Sequence, residues 1–332
     1  MSDTEFPRLR HCTFRWESNA TPMTMIVGRE HFELSEKEGE RNTFLNVKRY
    51  FDGRHSIGTI AEITGVSAEA VRAIAVQFDE LGLLRTAEPM DSIPADVFAK
   101  QIDQSCEMWA RQIGYHRLFS GLQNGELRKE VFLGTILETY HYVKSAPKHI
   151  GTAVAHCANP AFEPLLSQYF TEEWNHAQLI LASLVRMGLP REWVEDAHPI
   201  IGTWSLVNNL CEIARQDTLA YLACTALFEA KDDDFADSAE GLRRTAVRHG
   251  FPADCADPII GHAEMDIAAG HVSLLGQALQ HVPFVTAEQA HRAVNNLHDV
   301  KHSFDQFHDQ IIQYYTDIAN YIPRVKVDYF SL

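Results

Sequence analysis

Helix-forming sequence runs almost without interruption from Ala95 to Tyr321, and this stretch decides what most of the chain can fold into. Apolar residues recur in it every three or four positions. Helix-ending combinations divide it at Asn124-Gly125, Asn159-Pro160, Gly188-Leu189-Pro190, Gly250 and Pro283. The pattern predicts seven helices, at residues 95–119, 125–157, 160–188, 199–231, 234–249, 255–281 and 286–321. We therefore expect an all-α bundle at residues 95–321, with a kink where Pro147 falls inside the second helix.

The first part of the chain has a different pattern. Residues 23–34 alternate apolar and polar residues around a glycine, which predicts a hairpin. Three short helical segments follow, TFLNVKRYFDG, SIGTIAEITG and SAEAVRAIAVQFDELGLL, with Ser67 as the N-cap of the third. This order is typical of a small winged-helix-like α+β domain, which we place at residues 23–87. Two prolines in TAEPMDSIPAD, residues 86–96, indicate a linker.

Composition narrows the range of partners. The formal net charge of −16 argues against nucleic acid, because phosphate binding needs a clustered basic surface. The six cysteines show no Cys-x2-Cys spacing, so neither a zinc knuckle nor a disulfide framework is supported. No apolar stretch reaches the roughly 18 to 20 residues of a membrane span, and the first residues lack the apolar core of a signal peptide. We expect a cytoplasmic protein without a membrane partner; the choice between a monomer and a homodimer stays open.

Potential metal ligands fall on three separate helical segments. Glu173 and His176 lie three residues apart in FTEEWNHAQLI, and His262 and Asp266 lie four apart in GHAEMDIAAGH, so each pair projects from one helix face. Glu229 follows the mainly apolar stretch LAYLACTALF, where an inward-pointing carboxylate needs a partner. Carboxylates and imidazoles together suit iron or manganese. The pattern therefore predicts a metal site inside the bundle.

Each segment taken alone also has a simpler interpretation. Acidic residues near a histidine are common on exposed helix faces, and Glu229 also fits a surface residue beside Lys231 and the aspartates at 232–234. Glu172 is an alternative to Glu173, because it lies four residues before His176 and can share its face. The combination of three segments is more specific than any one of them.

With these residues identified, the stretch from about residue 95 to 321 resembles the heme-oxygenase-like dimetal oxidases, relatives of thiaminase-type and pyrroloquinoline-quinone-synthase-type bundles. That family has a Glu and a His on one helix, a Glu on a later helix, and His-x3-Asp-x2-His on the last ligand helix. The three segments match these elements in order. The closing histidine would fall at Ala269, whereas His271 lies two residues further on and reaches the site only if the helix is distorted. The resemblance implies two iron ions, or iron with manganese, and O2 as cosubstrate.

Residues 23–87 resemble the PqqD-like peptide-binding domains that recognise precursor peptides in peptide modification. The resemblance rests on the stretch from Phe44 to Leu84, notably Phe51-Asp52-Gly53 and Leu81-Gly82-Leu83-Leu84. It implies a precursor or carrier peptide as partner of this domain. Winged-helix regulators share the layout, but the helix that would read DNA offers only Arg72 and Gln77 for base contacts.

The two resemblances together imply an O2-dependent non-heme iron oxidase that modifies an amino acid, or a residue within a peptide, in natural-product biosynthesis. One alternative is a metal-free quinone-synthase-like oxidase or a thiaminase-type hydrolase, for which Cys224 is a candidate nucleophile. A second alternative is a winged-helix regulator whose bundle senses a ligand.

Two further groups of polar residues have the right types and spacing for chemistry. Glu138 and His141 repeat the spacing of Glu173 and His176. They are a second set of catalytic candidates lining the pocket, and a hydrogen-bonded pair within the bundle is an equally favoured interpretation. His302, Asp305 and His308 lie in the last predicted helix, where the face of an amphipathic helix is the favoured interpretation.

Overall fold

The computed structural model describes residues 5–16, 22–28, 30–34, 40–85, 91–228, 235–269 and 274–330. The chain divides into two compact units, residues 1–90 and residues 91–332. Within the described ranges, no helix combines the length and the apolar character that crossing a membrane requires.

The described part of the first unit is a three-stranded antiparallel sheet followed by three helices. Its strands lie in the order β1-β2-β3. Its elements are β1 (Thr13–Arg15), β2 (Met23–Val27), β3 (Glu30–Leu34), α1 (Glu40–Lys48), α2 (Ile57–Thr64) and α3 (Ala68–Glu80). The predicted hairpin and three helices are present, whereas β1 was not predicted because three residues are too few for a clear alternation.

Local chemistry accounts for the turns of this unit. Val27 pairs with Glu30 across the hairpin, and Gly28 has a φ of +61°, a conformation that glycine adopts without steric cost. The Ser67 hydroxyl accepts a hydrogen bond from the Ala70 N–H at 3.2 Å, so the predicted N-cap of α3 is confirmed. Alternate residues of β2 are buried against α2 and α3, which gives the unit its own apolar core.

The second unit is helical, with one short two-stranded sheet formed by β4 (Ser92–Pro94) and β5 (Phe284–Thr286). Its helices are α4 (Ala95–Gly114), α5 (Arg117–Asn124), α6 (Lys129–Lys144), α7 (Ala146–Ala155), α8 (Glu163–Glu173), α9 (Ala177–Arg186), α10 (Arg191–Asp196), α11 (Ile201–Gln216), α12 (Thr218–Thr225), α13 (Phe235–Arg248), α14 (Asp257–Ala269), α15 (Leu274–Leu279) and α16 (Ala287–Thr316). A short 3₁₀ helix, Ala253–Ala256, precedes α14.

Within the described residues, helices are present in all seven predicted regions, but several of these regions divide into shorter helices. α6 and α7 separate at Ser145, with Pro147 at the start of α7, so the expected kink is a helix boundary. α11 and α12 separate at Asp217, whose carboxylate accepts the N–H groups of Leu219 and Ala220 and caps α12. Of the predicted linker, residues 86–90 lie outside the described residues, and residues 92–94 form β4.

The thirty-residue helix α16 is the axis of the bundle. It packs against α4, α6, α11 and α12, and the buried core of the unit lies around it. A Cβ on Gly134 would lie 2.3 Å from the Tyr315 ring, so α6 approaches α16 more closely at this point than any larger residue allows. This close approach brings the Tyr315 hydroxyl to Glu138.

Candidate metal centre

Four of the predicted ligands meet inside the helical unit. Each of Glu173, His176, His262 and Asp266 contributes one nitrogen or oxygen atom, and these four atoms lie within 4.8 Å of one another. Glu173, His176 and Asp266 are buried, and the His262 side chain is 16% exposed. The group joins the α8–α9 region to α14, which packs against α9.

A tight turn between α8 and α9 places Glu173 and His176 on the same side. The His176 N–H donates to the Glu173 carbonyl at 3.4 Å, a hydrogen bond between residues three apart rather than four. Side chains three residues apart eclipse one another in such 3₁₀ geometry, so both point inward, while Trp174 between them is 59% exposed. The interruption of the predicted helix 160–188 therefore positions the two candidate ligands.

On α14, His262 and Asp266 face each other one turn apart. Nδ1 of His262 lies 3.0 Å from Oδ2 of Asp266. A neutral His262 imidazole that donates from Nδ1 to this carboxylate has its lone pair on Nε2. Nε2 is buried and has no hydrogen-bond partner in the described part of the chain. A histidine held by a carboxylate through one nitrogen, with the other nitrogen available, has the usual arrangement of a metal ligand.

His176 lies between the two carboxylates of the group. Its Nδ1 is 3.1 Å from Oε1 of Glu173 and 3.4 Å from Oδ1 of Asp266. The rings of His176 and His262 meet edge to face, with centroids 4.8 Å apart. Two carboxylates are thus buried at close range, which is costly unless positive charge lies between them. A bound cation would supply such a charge.

The donor set fits a first-row metal ion. Bonds of about 2.0 to 2.2 Å allow two ligands of one ion to lie at most about 4.4 Å apart, so atoms within 4.8 Å of one another need only small movements to close on it. Two hard carboxylates with two imidazoles favour iron or manganese. The residues present therefore fit the metal that the resemblance implies.

A family model and solved structures match the part of the chain that holds this group. Residues 135–298 match the model of a family described as iron-containing redox enzymes, and all four residues of the group fall inside the match. A domain of unknown function with a heme oxygenase-like fold from Shewanella denitrificans superposes with a TM-score of 0.55 and 18% identity, covering 65% of this chain and 92% of that one. The bundle has a heme-oxygenase-like fold.

A second solved structure extends the comparison. A TenA homolog from Pseudomonas syringae gives a TM-score of 0.51 at 14% identity, covering 69% of this chain and 100% of that chain. The comparison with curated proteins gives no match. The fold class predicted from the sequence, a heme-oxygenase-like bundle preceded by a small α+β domain, is confirmed.

Of the other predicted ligands, those that the structure describes do not join the four-residue group. Glu229 and His271 lie outside the described residues. Ala269 is exposed on the last turn of α14. Glu172 lies next to Glu173, but its Oε1 accepts a hydrogen bond from Gln168 Nε2 at 2.9 Å along the outer face of α8.

Glu138 and His141 are buried in the heme-oxygenase-like bundle, in different surroundings. Glu138 accepts hydrogen bonds from the Ile200 N–H at 3.2 Å, from the Tyr315 hydroxyl at 2.6 Å and from the Thr203 hydroxyl. Burial raises the pKa of Glu138, although these three donors act in the opposite direction. Burial, together with the charge of Lys144, lowers the pKa of His141 to about 3, so its imidazole is neutral.

One buried histidine near the centre was not predicted. His149 on α7 is 1% exposed, and its Nδ1 lies 2.8 Å from the Tyr221 hydroxyl. Burial lowers its pKa to about 4, and the negative charge of Glu173 partly counteracts that shift. The rings of Tyr142 and Phe228 lie beside it. His149 has no candidate ligand three or four residues away, so the sequence gives no spacing pattern by which its role could be predicted.

The surroundings of Cys224 disfavour the thiolate form that a nucleophilic cysteine needs. Cys224 is fully buried on α12, and burial raises its pKa well above 9. A thiol that stays protonated lacks the reactive thiolate form. The bundle therefore gives Cys224 the character of a core residue.

Proposed function

We propose that this chain is an O2-dependent non-heme iron oxidoreductase that uses the metal centre of its heme-oxygenase-like bundle. The observation that carries the proposal is the convergence of two carboxylates and two imidazoles within 4.8 Å. The match of residues 135–298 to iron-containing redox enzymes supports the reaction class. Two metal ions, as in the dimetal oxidases, are part of the proposal, with Glu229 and His271 as further ligands.

The iron would be held by the four residues of the group, Glu173, His176, His262 and Asp266. Bound iron would supply the redox change and the Lewis acidity that reaction with O2 requires. The negative charges of Glu173 and Asp266 favour the cation, and Asp266 orients His262 through its Nδ1–H. His176 Nδ1 lies close to both carboxylates, so this imidazole would bind the same cation.

The proposed substrate is an amino acid or an amino-acid residue of a peptide. An aromatic group beside the centre consists of His149, Tyr142 and Phe228. This group suits a substrate with an apolar or aromatic side chain. The neutral His149 imidazole adds one polar contact to this group. The reaction would be an oxidation, a hydroxylation or an oxidative bond cleavage.

We also propose that the N-terminal unit binds a precursor or carrier peptide. β3 is an edge strand, since no other described strand pairs with it besides β2. An extended peptide can add to such an edge through main-chain hydrogen bonds, with side-chain pockets giving specificity. The exposed face of α3 carries Glu69 and Glu80 against Arg72, a charge balance that suits a peptide better than DNA.

Metal loading tests the function. Full-length protein supplied anaerobically with Fe(II) should retain iron after desalting and should consume O2 when air is admitted. His176→Ala should lower both iron content and O2 consumption. Glu172→Ala is the matched control: the neighbouring carboxylate lies outside the four-residue group, so this variant should behave like wild type. Iron at background level in wild type would overturn the proposal.

The peptide partner needs a separate experiment. The full chain is titrated with a precursor peptide, where a neighbouring gene encodes one, and, in parallel, with duplex DNA at physiological salt. Saturable binding of the peptide alone supports the proposal. Binding of DNA with no peptide binding would favour the regulator instead.

The metal-free oxidase or hydrolase is the second candidate, because the TenA homolog shares the fold. The buried, protonated thiol of Cys224 argues against a cysteine-based hydrolase. An enzyme of this second type would keep full activity after treatment with a chelator, whereas the iron enzyme would lose it.

A further inference from the structure

The last helix carries a pair of histidines outside the metal centre. His298 and His302 lie four residues apart on α16, and their Nε2 atoms are 3.2 Å apart. Their rings meet edge to face, with centroids 4.4 Å apart. In the segment HSFDQFHDQ, His308 is buried in the core, whereas His302 pairs with His298.

The separation of the two nitrogens is that of a metal chelate. Two imidazole nitrogens at about 2.0 to 2.1 Å from one tetrahedral ion lie about 3.3 Å apart. The observed 3.2 Å is close to this value, so the helix backbone and the two side chains already have the required arrangement. Without a metal, the same distance allows one N–H to donate to the other nitrogen.

Neighbouring side chains hold both rings in place. The Trp109 ring lies beside the His298 ring, with centroids 5.2 Å apart. Oδ2 of Asp305 lies 3.5 Å from Nδ1 of His302, on the opposite side of that ring from Nε2. Lys301 Nζ, 2.5 Å from the same oxygen, fixes the carboxylate. A carboxylate near the second nitrogen is the common outer partner of a metal-binding histidine.

The pair is accessible and separate from the centre. The His302 side chain is 50% exposed, so water can complete the coordination of a bound ion. Neither histidine belongs to the four-residue group of the metal centre. The two places also differ chemically, because the centre offers two carboxylates whereas the pair offers imidazole nitrogens alone.

We propose that His298 and His302 form a second metal site, a surface chelate for a divalent ion of the Zn(II), Ni(II) or Cu(II) class. Imidazole donors without a carboxylate favour these ions over iron and manganese, and Cu(II) binds most tightly in the usual order of affinities. Two histidines four residues apart on one helix face are an established zinc-binding arrangement. The site stands on α16 alone and does not depend on the proposed oxidoreductase function.

Zinc titration of the metal-free, full-length protein tests the site. His298→Ala and His302→Ala should each bind one Zn(II) fewer than wild type, whereas His176→Ala should keep this zinc. His291→Ala is the matched control, an exposed histidine on the same helix that has no described partner histidine one turn away. Asp305→Asn should keep the stoichiometry but weaken zinc binding about tenfold, the lower end of the effect of removing an outer partner.

Chemical labelling locates the bound zinc. Saturating Zn(II) should protect His302 from acylation by diethyl pyrocarbonate, read residue by residue by mass spectrometry, and should leave His291 reactive. His302→Gln, which keeps the size and polarity of the side chain, should lose the zinc as His302→Ala does. The proposal is overturned if His302 stays reactive at saturation, or if the His302 variants bind as much zinc as wild type with the same affinity.

Discussion

The bundle contains two buried Glu-x2-His pairs with the same spacing, and their surroundings differ completely. Glu138 faces two hydroxyls and one backbone N–H, and it joins α6 to α11 and α16. Glu173 faces His176, which also approaches a second carboxylate, Asp266. The first environment satisfies a carboxylate permanently, whereas the second gathers negative charge that a cation can neutralise. The elements packed opposite a pair decide its role; the spacing alone does not.

The largest effect expected from this comparison is on stability. Glu138→Ala leaves the Tyr315 hydroxyl, the Thr203 hydroxyl and the Ile200 N–H without their acceptor in the core, and we expect a loss of about 3 to 5 kcal/mol of unfolding free energy. Glu173→Ala should leave the metal-free protein at least as stable as wild type, because it removes one of two crowded carboxylates. Urea denaturation of the metal-free proteins measures both. Equal losses in the two variants would remove the distinction between the pairs.

Metal addition should affect the two variants in the opposite order, stabilising Glu138→Ala but not Glu173→Ala. A ligand that binds only the folded state stabilises it by about 2.7 kcal/mol at a hundredfold excess over its Kd. Anaerobic Fe(II), or Mn(II) as a redox-stable probe, should therefore raise the unfolding temperature of wild type and of Glu138→Ala, but not of Glu173→Ala. Thermal unfolding with and without metal provides the measurement. A shift that survives in Glu173→Ala would place the metal elsewhere.

Acid should lower the unfolding free energy through His141, the histidine of the Glu138 pair. The pKa of His141 is about 3 in the folded protein and about 6.5 in the unfolded chain, so the unfolded chain binds more protons between these values and stability falls as pH falls. The loss is on the order of 2 kcal/mol at pH 5. Unfolding free energies of metal-free His141→Phe should show a smaller decline from pH 7 to pH 5, while exposed His291→Ala should follow wild type. An unchanged slope in His141→Phe would show that this imidazole is not held neutral.

Local sequence patterns predicted part of the fold and part of the site. Helical periodicity and the turn residues predicted the bundle, the hairpin and the Ser67 cap, because these depend on neighbouring residues. Three and four residue spacings identified the four ligand candidates that meet in the centre. The donors to Glu138 come from residues 62 to 177 positions away in the sequence, so no local pattern predicts them. The tight turn at His176 likewise depends on packing rather than on propensity.

The smallest expected effect concerns His149, which belongs to neither pair. Its Nδ1 lies 2.8 Å from the Tyr221 hydroxyl, and its Nε2 has no hydrogen-bond partner among the described residues. Tyr221→Phe should cost about 1 kcal/mol, the usual net value of one hydrogen bond. His149→Phe removes the partnerless nitrogen as well and should be close to neutral in stability.

The double variant decides what the His149–Tyr221 contact contributes. If the hydrogen bond is the only link, the cycle of single and double variants gives a coupling of about 0.5 to 1.5 kcal/mol by urea denaturation. The Kd for Mn(II) should stay at the wild-type value in all three variants, because His149 lies outside the four ligands. O2 consumption by the iron-loaded enzyme should fall in His149→Phe if the imidazole contacts substrate. Unchanged turnover with weakened Mn(II) binding would instead make His149 a support of the metal centre, and the aromatic group beside it would lose its proposed role.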